Sequence, residues 1–247
     1  MPELGPIEPL LILGISDYHC HCDFSADAEG SVDDYCRAAI ERNLVELCFT
    51  THYDGSQDGI SSDEFIRIDG ELHPVSPDNL APYVDAVRQA QEDYYPLGVS
   101  VKLGVEFGWY EGCEEAAARL KERFDFDYFL CGIHSLDNLC FWRHGANKGC
   151  FDIYSLEEFA ERYFDQVIKA ARSGLFDAVA HLDYYKRKAY NHYGDAVADI
   201  HRNYLPDVFR ALVESGTSLE VNTAGVRHGL KEYYPRVDII NAAKKAG

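Results

Sequence analysis

Basic residues are scarce in this chain. Against 42 Asp and Glu, its 247 residues include 23 Lys and Arg, a formal charge of −19. A protein that coats long nucleic acid needs a basic footprint, and a field of this sign repels polyanions. Long apolar runs are missing too: no stretch approaches the ~18 uncharged residues of a membrane span. The segment Met1-Pro-Glu-Leu-Gly-Pro-Ile-Glu carries acids where a secretory signal has a basic region. The eight cysteines have neither the density of a disulfide scaffold nor a second pair at zinc-knuckle spacing. They read as reduced thiols of a cytoplasmic protein, with Cys48 and Cys131 as small core residues. Internal repeats and low-complexity tracts are absent. Apolar residues are plentiful at 47%, ordinary for a globular chain, and the length suits one large α/β barrel or two small domains.

Apolar runs alternate with helical spacing. Strands are expected at Leu11–His21, Val45–Thr50, Val99–Phe107, Tyr128–Ile133, Ala178–His181 and Ser218–Asn222. Helices are expected at Ser31–Arg42, Asp78–Tyr95, Cys113–Arg123, 156–172, Asp195–Ser215 and Val237–Lys245. Ser31 reads as an N-cap, and Ser155 with Glu158 as a capping box. Pro206 predicts a kink. The acid-rich segment 53–76 reads as a long loop, and a second loop of about twenty residues follows Ile133 through Trp142 and Cys150. Strand and helix alternate six times, which predicts a parallel β/α barrel or an open doubly wound sheet.

The strongest local signal is Asp17-Tyr18-His19-Cys20-His21. Residues i and i+2 of a strand point the same way, so His19 and His21 can face one metal while Cys20 and Cys22 face away. An isolated His-x-His pair arises by chance, but this one is not isolated. Strand two ends at His52, strand four at His134 and strand five at His181, and strand three carries Glu106 beside Gly104. A carboxylate closing a buried strand is costly unless charge or hydrogen bonds compensate. Five of the ten histidines thus fall at strand C-termini, the end where barrels place their chemistry. The pattern predicts a polynuclear site with N and O ligands, suited to Zn, Mn or Fe.

These segments resemble the PHP family, polymerase and histidinol phosphatase, of metal-dependent phosphoesterases. The motifs are Asp17–His21 with the Asp27 region, Thr50-Thr51-His52, Gly104-Val105-Glu106, Cys131-Gly132-Ile133-His134, Phe176–Asp183 and Glu220–Gly225. The last is similar to the histidinol-phosphatase branch. The resemblance runs from about residue 14 to 247 and implies an α/β fold, a distorted (β/α)7 TIM-like barrel, with two to three divalent metals. It implies one metal on His19 and His21, Glu106 bridging to a second on His134 and His181, and a third on Asp27 and His52. One departure stands out. The family takes an Asp-x-His pair from a seventh strand, and only about six β/α units are visible here. The expectation is a single PHP-like barrel domain over 1–247, C-terminally truncated. A natural short form, or a homo-oligomer whose neighbouring chain fills the gap, are the alternatives.

Such a carboxylate-bridged pair suits phosphate-ester hydrolysis. The resemblance implies a small-molecule phosphate monoester as substrate, L-histidinol phosphate first. A nucleotide phosphodiesterase or exonuclease of the same family, a hydrolase of C–N or C–O bonds, and a non-catalytic incomplete barrel are the rival classes. Arg227 is the first choice for a bidentate phosphate contact, with Lys186 and Arg143 behind it and Arg187 and Lys148 nearby. The leaving-group acid is left among Asp17, Asp183 and a metal-bound water. Phe24, Tyr53, Trp109, Trp142 and Tyr184 are expected to flank the mouth, and His228 stays open as a substrate contact.

Overall fold

A computed structural model describes residues 14–55, 62–141 and 148–247. Among the described residues, eleven strands run in the order β1 (Ile15–Cys20), β2 (Leu44–Phe49), β3 (His52–Asp54), β4 (Phe65–Ile68), β5 (Glu71–Pro74), β6 (Ser100–Gly108), β7 (Tyr128–Gly132), β8 (Ser135–Leu136), β9 (Leu139–Cys140), β10 (Ala178–Val179) and β11 (Ser218–Leu219). The helices are α1 (Val32–Glu41), α2 (Pro77–Tyr94), α3 (Glu114–Phe124), α4 (Leu156–Arg172), α5 (Lys186–Tyr193), α6 (Leu205–Ser215), α7 (Ala224–Arg227) and α8 (Val237–Ala246).

The main sheet has the order β1-β2-β6-β7-β10-β11, with β3 also on β6, and every pairing in it is parallel. β6 is its axis. On one side β2 sets Phe49 against Leu103, and β3 resumes the same edge with His52 against Glu106. On the other side β7 runs from Gly104↔Tyr128 to Gly108↔Gly132. These registers bring the strand C-termini to one rim. The sheet curls: His19 on β1 touches Glu220, the residue after β11. Among the described residues β1 pairs only with β2, and β11 only with β10. Behind the sheet, Phe129 and Phe176 stack at 5.3 Å beside Phe107 in a core filled by the helices' apolar faces.

The helix caps follow the sequence. Ser31 closes a capping box with Asp34, and Ser155 does so with Glu158. Several expectations need correction. The first strand is shorter than Leu11–His21, whose residues 11–13 lie outside the described residues. The described part of segment 53–76 is not a loop. It holds β3 and an antiparallel β4–β5 hairpin, turned at Asp69 and Gly70 with φ of 51° and 86°. An Asp-Gly pair between apolar-alternating runs is the composition such a turn requires. A second small hairpin, β8–β9, turns on Asp137 and Asn138 within the expected second loop. Strands five and six end two and three residues early, at Val179 and Leu219. The stretch 195–215 divides into a 3-10 segment, Gly194–Asn203, and α6. Pro206 stands in the first turn of α6, where its missing N–H costs nothing, so it starts a helix rather than kinking one. No helix among the described residues is long and apolar enough to cross a membrane, and the eight cysteines are free thiols, all buried.

Candidate metal centre

Glu106 organises the rim. It stands near the C-terminal end of β6 and is fully buried. Its two oxygens divide the histidines between them. Oε1 lies 2.9 Å from His181 Nε2 and 3.2 Å from His134 Nε2. Oε2 lies 3.1 Å from each of His19 Nε2, His21 Nε2 and His52 Nδ1. Asp27 approaches from the loop after β1, with Oδ1 3.4 Å from His21 Nδ1 and Oδ2 3.6 Å from His52 Nε2. All seven sequence-predicted metal residues therefore meet in one cavity of about 920 Å³.

Protons alone satisfy this cluster poorly. A carboxylate offers about four lone-pair sites, and five imidazoles crowd this one. His19 Nε2 and His21 Nε2 stand 3.1 Å apart, and the buried Nδ1 atoms of His52 and His134 make no hydrogen bond. Gly132 keeps the space open, since a Cβ there would lie 2.5 Å from His134 Nε2 and 2.7 Å from Glu106 Oε1. Buried, clustered imidazole and carboxylate donors with orphaned nitrogens fit divalent cations. Three groups have donor atoms all within 4.8 Å of one another: His19, Glu106 and His181; His21, His52 and Glu106; His52, Asp63 and His134.

The charges are strongly coupled. Burial pushes the Glu106 carboxyl up, but His19, His52 and His134 outweigh it and hold the group well below the usual carboxylate range. Burial likewise works to depress His52, and Asp63 and Glu106 overcome it, raising the imidazole to about 9. His19 is raised well above its usual value because Glu106 and Glu220 outweigh its burial. For His181 burial wins, and its pKa falls.

Two residues here had no role in the sequence reading. Glu220 takes the Nδ1–H of His19 on Oε1 at 2.6 Å and the backbone N–H of His181 on Oε2 at 2.7 Å. His181 has a φ of 25°, a region side chains rarely occupy without outside support, and Glu220 supplies that support. Asp63 reaches in from the segment read as a loop. Glu220 was visible as part of a motif, but its partners are some 200 and 39 residues away, and no local spacing shows that.

The phosphate and acid assignments divide. Arg227 is exposed on the cavity wall, its Nη1 donating to Thr223 Oγ1 at 3.1 Å. Arg42, Arg187, Asn222 and His228 line the same cavity. Lys186 does not. It is 1% exposed, and its ammonium donates to Asp183 Oδ2 at 2.8 Å. Asp183 is equally buried and also accepts the N–H of Arg236. That pair is spent on structure, because the strand-end loop folds inward as the start of α5. Arg143 and Trp142 lie outside the described residues. Asp17 is exposed on the cavity wall. Of the aromatics expected at the mouth, Tyr184 lines the cavity. Trp109 is instead a core residue donating to Gln166 Oε1, Tyr53 stacks on Phe107, and Phe24 packs on Tyr83.

A parallel α/β sheet that gathers imidazoles around a shared carboxylate at its strand C-termini defines an enzyme of the metal-dependent hydrolase class. The PHP domain model matches residues 17–224, and the chain belongs to that family. Among curated relatives, a probable histidinol-phosphatase of Deinococcus radiodurans is 28% identical over 95% of this chain and 83% of its own length. The histidinol-phosphatase of Lactococcus lactis is 26% identical over 84% of this chain and 71% of its own length. The fold is that of two solved structures. Histidinol phosphate phosphatase from Lactococcus lactis, complexed with Zn, L-histidinol and phosphate, has a TM-score of 0.71 at 23% identity, covering 94% of this chain and 81% of that one. The putative histidinol phosphatase from Listeria monocytogenes has a TM-score of 0.75 at 18% identity, covering 94% and 91%.

Proposed function

We propose that this chain is a metal-dependent phosphatase that hydrolyses L-histidinol phosphate to L-histidinol and phosphate. The observation that carries the reading is the division of Glu106, with one oxygen facing His134 and His181 and the other facing His19, His21 and His52. The names of the relatives supply the substrate. Glu106, His134 and His181 would hold one ion, and His19 and His21 with Glu106 a second. Asp27 and His52 would hold a third. Zn, Mn and Fe all suit these donors. When bound, such ions neutralise phosphoryl charge and make water acidic enough to attack near neutral pH.

The protein's own groups do the rest. Arg227 and Arg187 line the same cavity and would grip phosphoryl oxygens, which the cationic forks match bidentately. Tyr184 and His228 stand 6.3 Å apart, ring to ring, on that side, and give the substrate's imidazole an aromatic partner. Of the two side chains weighed as the leaving-group acid, Asp17 lines the cavity and Asp183 is tied to Lys186, which favours Asp17 or a metal-bound water for that step.

The test is comparative. Metal-loaded protein should turn over L-histidinol phosphate faster than a generic aryl phosphate, and both faster than a phosphate bis-ester. A preference for the bis-ester or a dinucleotide would replace this reading with the phosphodiesterase one.

Metal loading should also depend on pH in a stated direction. In the metal-free protein His52, raised from 6.5 to about 9, holds a proton that a cation must displace. Apparent affinity should climb as pH rises from about 6.5 to 9, about tenfold per unit for each proton displaced. The metal-free fold should behave oppositely. Its raised His52 stabilises it fully below about 6.5, and that contribution is lost as pH rises through about 9. Indicator-dye proton release on adding Zn, and melts of the metal-free protein across that range, check both.

A further inference from the structure

Asp63 enters the centre from a part of the chain that the motifs do not cover. It lies in the 3-10 turn Ser62–Glu64 just before β4 and lines the cavity with a side chain 17% exposed. Its oxygens face two histidines. Oδ1 is 3.6 Å from His52 Nε2, and Oδ2 is 3.5 Å from His134 Nδ1. Both separations exceed the ~3.2 Å reach of an N–H···O bond. They are close instead to the edge of a coordination shell, since donors about 2.0–2.1 Å from one ion at tetrahedral angles stand about 3.3 Å apart. His134, at 9% exposure, is over nine-tenths buried, and its Nδ1, without a hydrogen-bond partner, faces this carboxylate and, slightly further off at 3.7 Å, Asp54 Oδ2. In each ring the other nitrogen faces Glu106.

We propose that Asp63 is a metal ligand of this centre. Oδ1 joins the ion held at His52 Nε2. Oδ2 closes on His134 Nδ1–H, which turns the lone pair of His134 Nε2 toward Glu106 and the inner ion. A carboxylate behind a metal-bound histidine fixes the ring's tautomer and orientation in this way. The hairpin segment thus supplies an anionic donor to the outer part of the centre and ties it to the inner part through a single side chain. The inference rests on the metal centre proposed above, but not on the substrate.

The test measures metal, not turnover. Wild type and Asp63→Asn would be stripped, reloaded with Co or Zn, and compared by elemental analysis, chelator competition and the visible spectrum of bound Co. In Asp63→Asn the most weakly held ion should bind at least about 10–100-fold less tightly, so that it is lost at chelator levels wild type survives, and the cobalt spectrum should change. Full stoichiometry, unchanged affinity and an unchanged spectrum would overturn the proposal, even if the variant melts lower, because a purely structural role moves only the melt. If Asp63→Asn does not fold, Asp63→Glu answers the question. It keeps a carboxylate one methylene further out, and should hold every ion with an altered spectrum. An identical spectrum would overturn the proposal. A wild type that binds no metal at all would overturn the metal centre with it, whereas metal binding without hydrolysis of histidinol phosphate would refute the substrate and leave Asp63 standing.

Discussion

Glu106→Gln is expected to remove most of the bound metal and to lower phosphatase activity by more than the ~10–100-fold that losing an outer partner costs. The amide has the same shape, so packing around the buried side chain is kept. What goes is the one negative charge shared by five imidazoles, and with it a carboxylate whose two oxygens face the imidazole nitrogens of both the His134–His181 side and the His19–His21 side. The amide nitrogen would also point a donor at ring nitrogens that must offer lone pairs to a cation. In the metal-free variant His19 and His134 should give up their protons at lower pH than in wild type, because Glu106 is the main charge raising them. Elemental analysis and NMR titration of the histidines check the two halves separately. A variant that keeps its full metal complement would remove Glu106 from the centre.

Glu220→Gln should cost about 10–100-fold in metal affinity and activity together, with little change in overall fold. Glu220 accepts from His19 Nδ1 at 2.6 Å and from the His181 backbone at 2.7 Å, and Asn222 Nδ2 donates to it at 3.1 Å. By accepting Nδ1–H it keeps the Nε2 lone pair of His19 turned toward Glu106. A glutamine can satisfy the His181 N–H only by presenting its NH2 to His19, which drives the imidazole proton to Nε2, where a cation is meant to bind. The signature is specific. Nδ1 of His19, protonated against Glu220 in wild type, should lose its proton in the metal-free variant by 15N NMR, and the weakened ion should be the one on the His19 side. Glu220→Asp, too short to span both contacts, should not restore the wild type. Loss of folding without any change in the His19 tautomer would assign Glu220 to the scaffold alone.

Much of this centre was legible from the chain because its chemistry is written at strand ends. His19 and His21 share a strand face by simple alternation, and His52, Glu106, His134 and His181 each close an apolar run. Parallel registers then carry them to one rim. Capping was legible for the same local reason at Ser31 and Ser155. What could not be read depends on distance or on what a charge meets after folding. Lys186 looks like a phosphate-binding loop residue until the turn into α5 buries it on Asp183. Asp63 looks like one acid in an acidic loop until the hairpin carries it under His52 and His134. The hairpin itself was readable, since Asp69-Gly70 between Phe-Ile-Arg-Ile and Glu-Leu-His-Pro is a turn with its strands attached.

That hairpin also explains how Asp27 is held in the centre although it sits on a loop. Arg67 on β4 extends its guanidinium into the turn that bears Asp27. Nη1 donates to the carbonyls of Asp23, Ser25 and Ala28 at 2.8–3.0 Å, and Nη2 to that of Ala26 at 2.9 Å. Its own N–H bonds Phe24 O, and Ser25 bridges to Ile66. The loop's carbonyls thus fold around a cation 44 positions downstream of Asp23, much as a crown ether wraps its guest. The order of events during folding follows from that separation. His19 and His21 can take their places as soon as the first two strands pair, whereas Asp27 is fixed only once the chain has passed residue 67 and the hairpin has closed, because long-range contacts wait on loop closure. The Asp27 side of the centre therefore depends on the hairpin and is the first part to come apart when the hairpin opens, whereas the contacts of His181 to Glu106 and of His19 to Glu220 wait on chain 75 and 201 positions away.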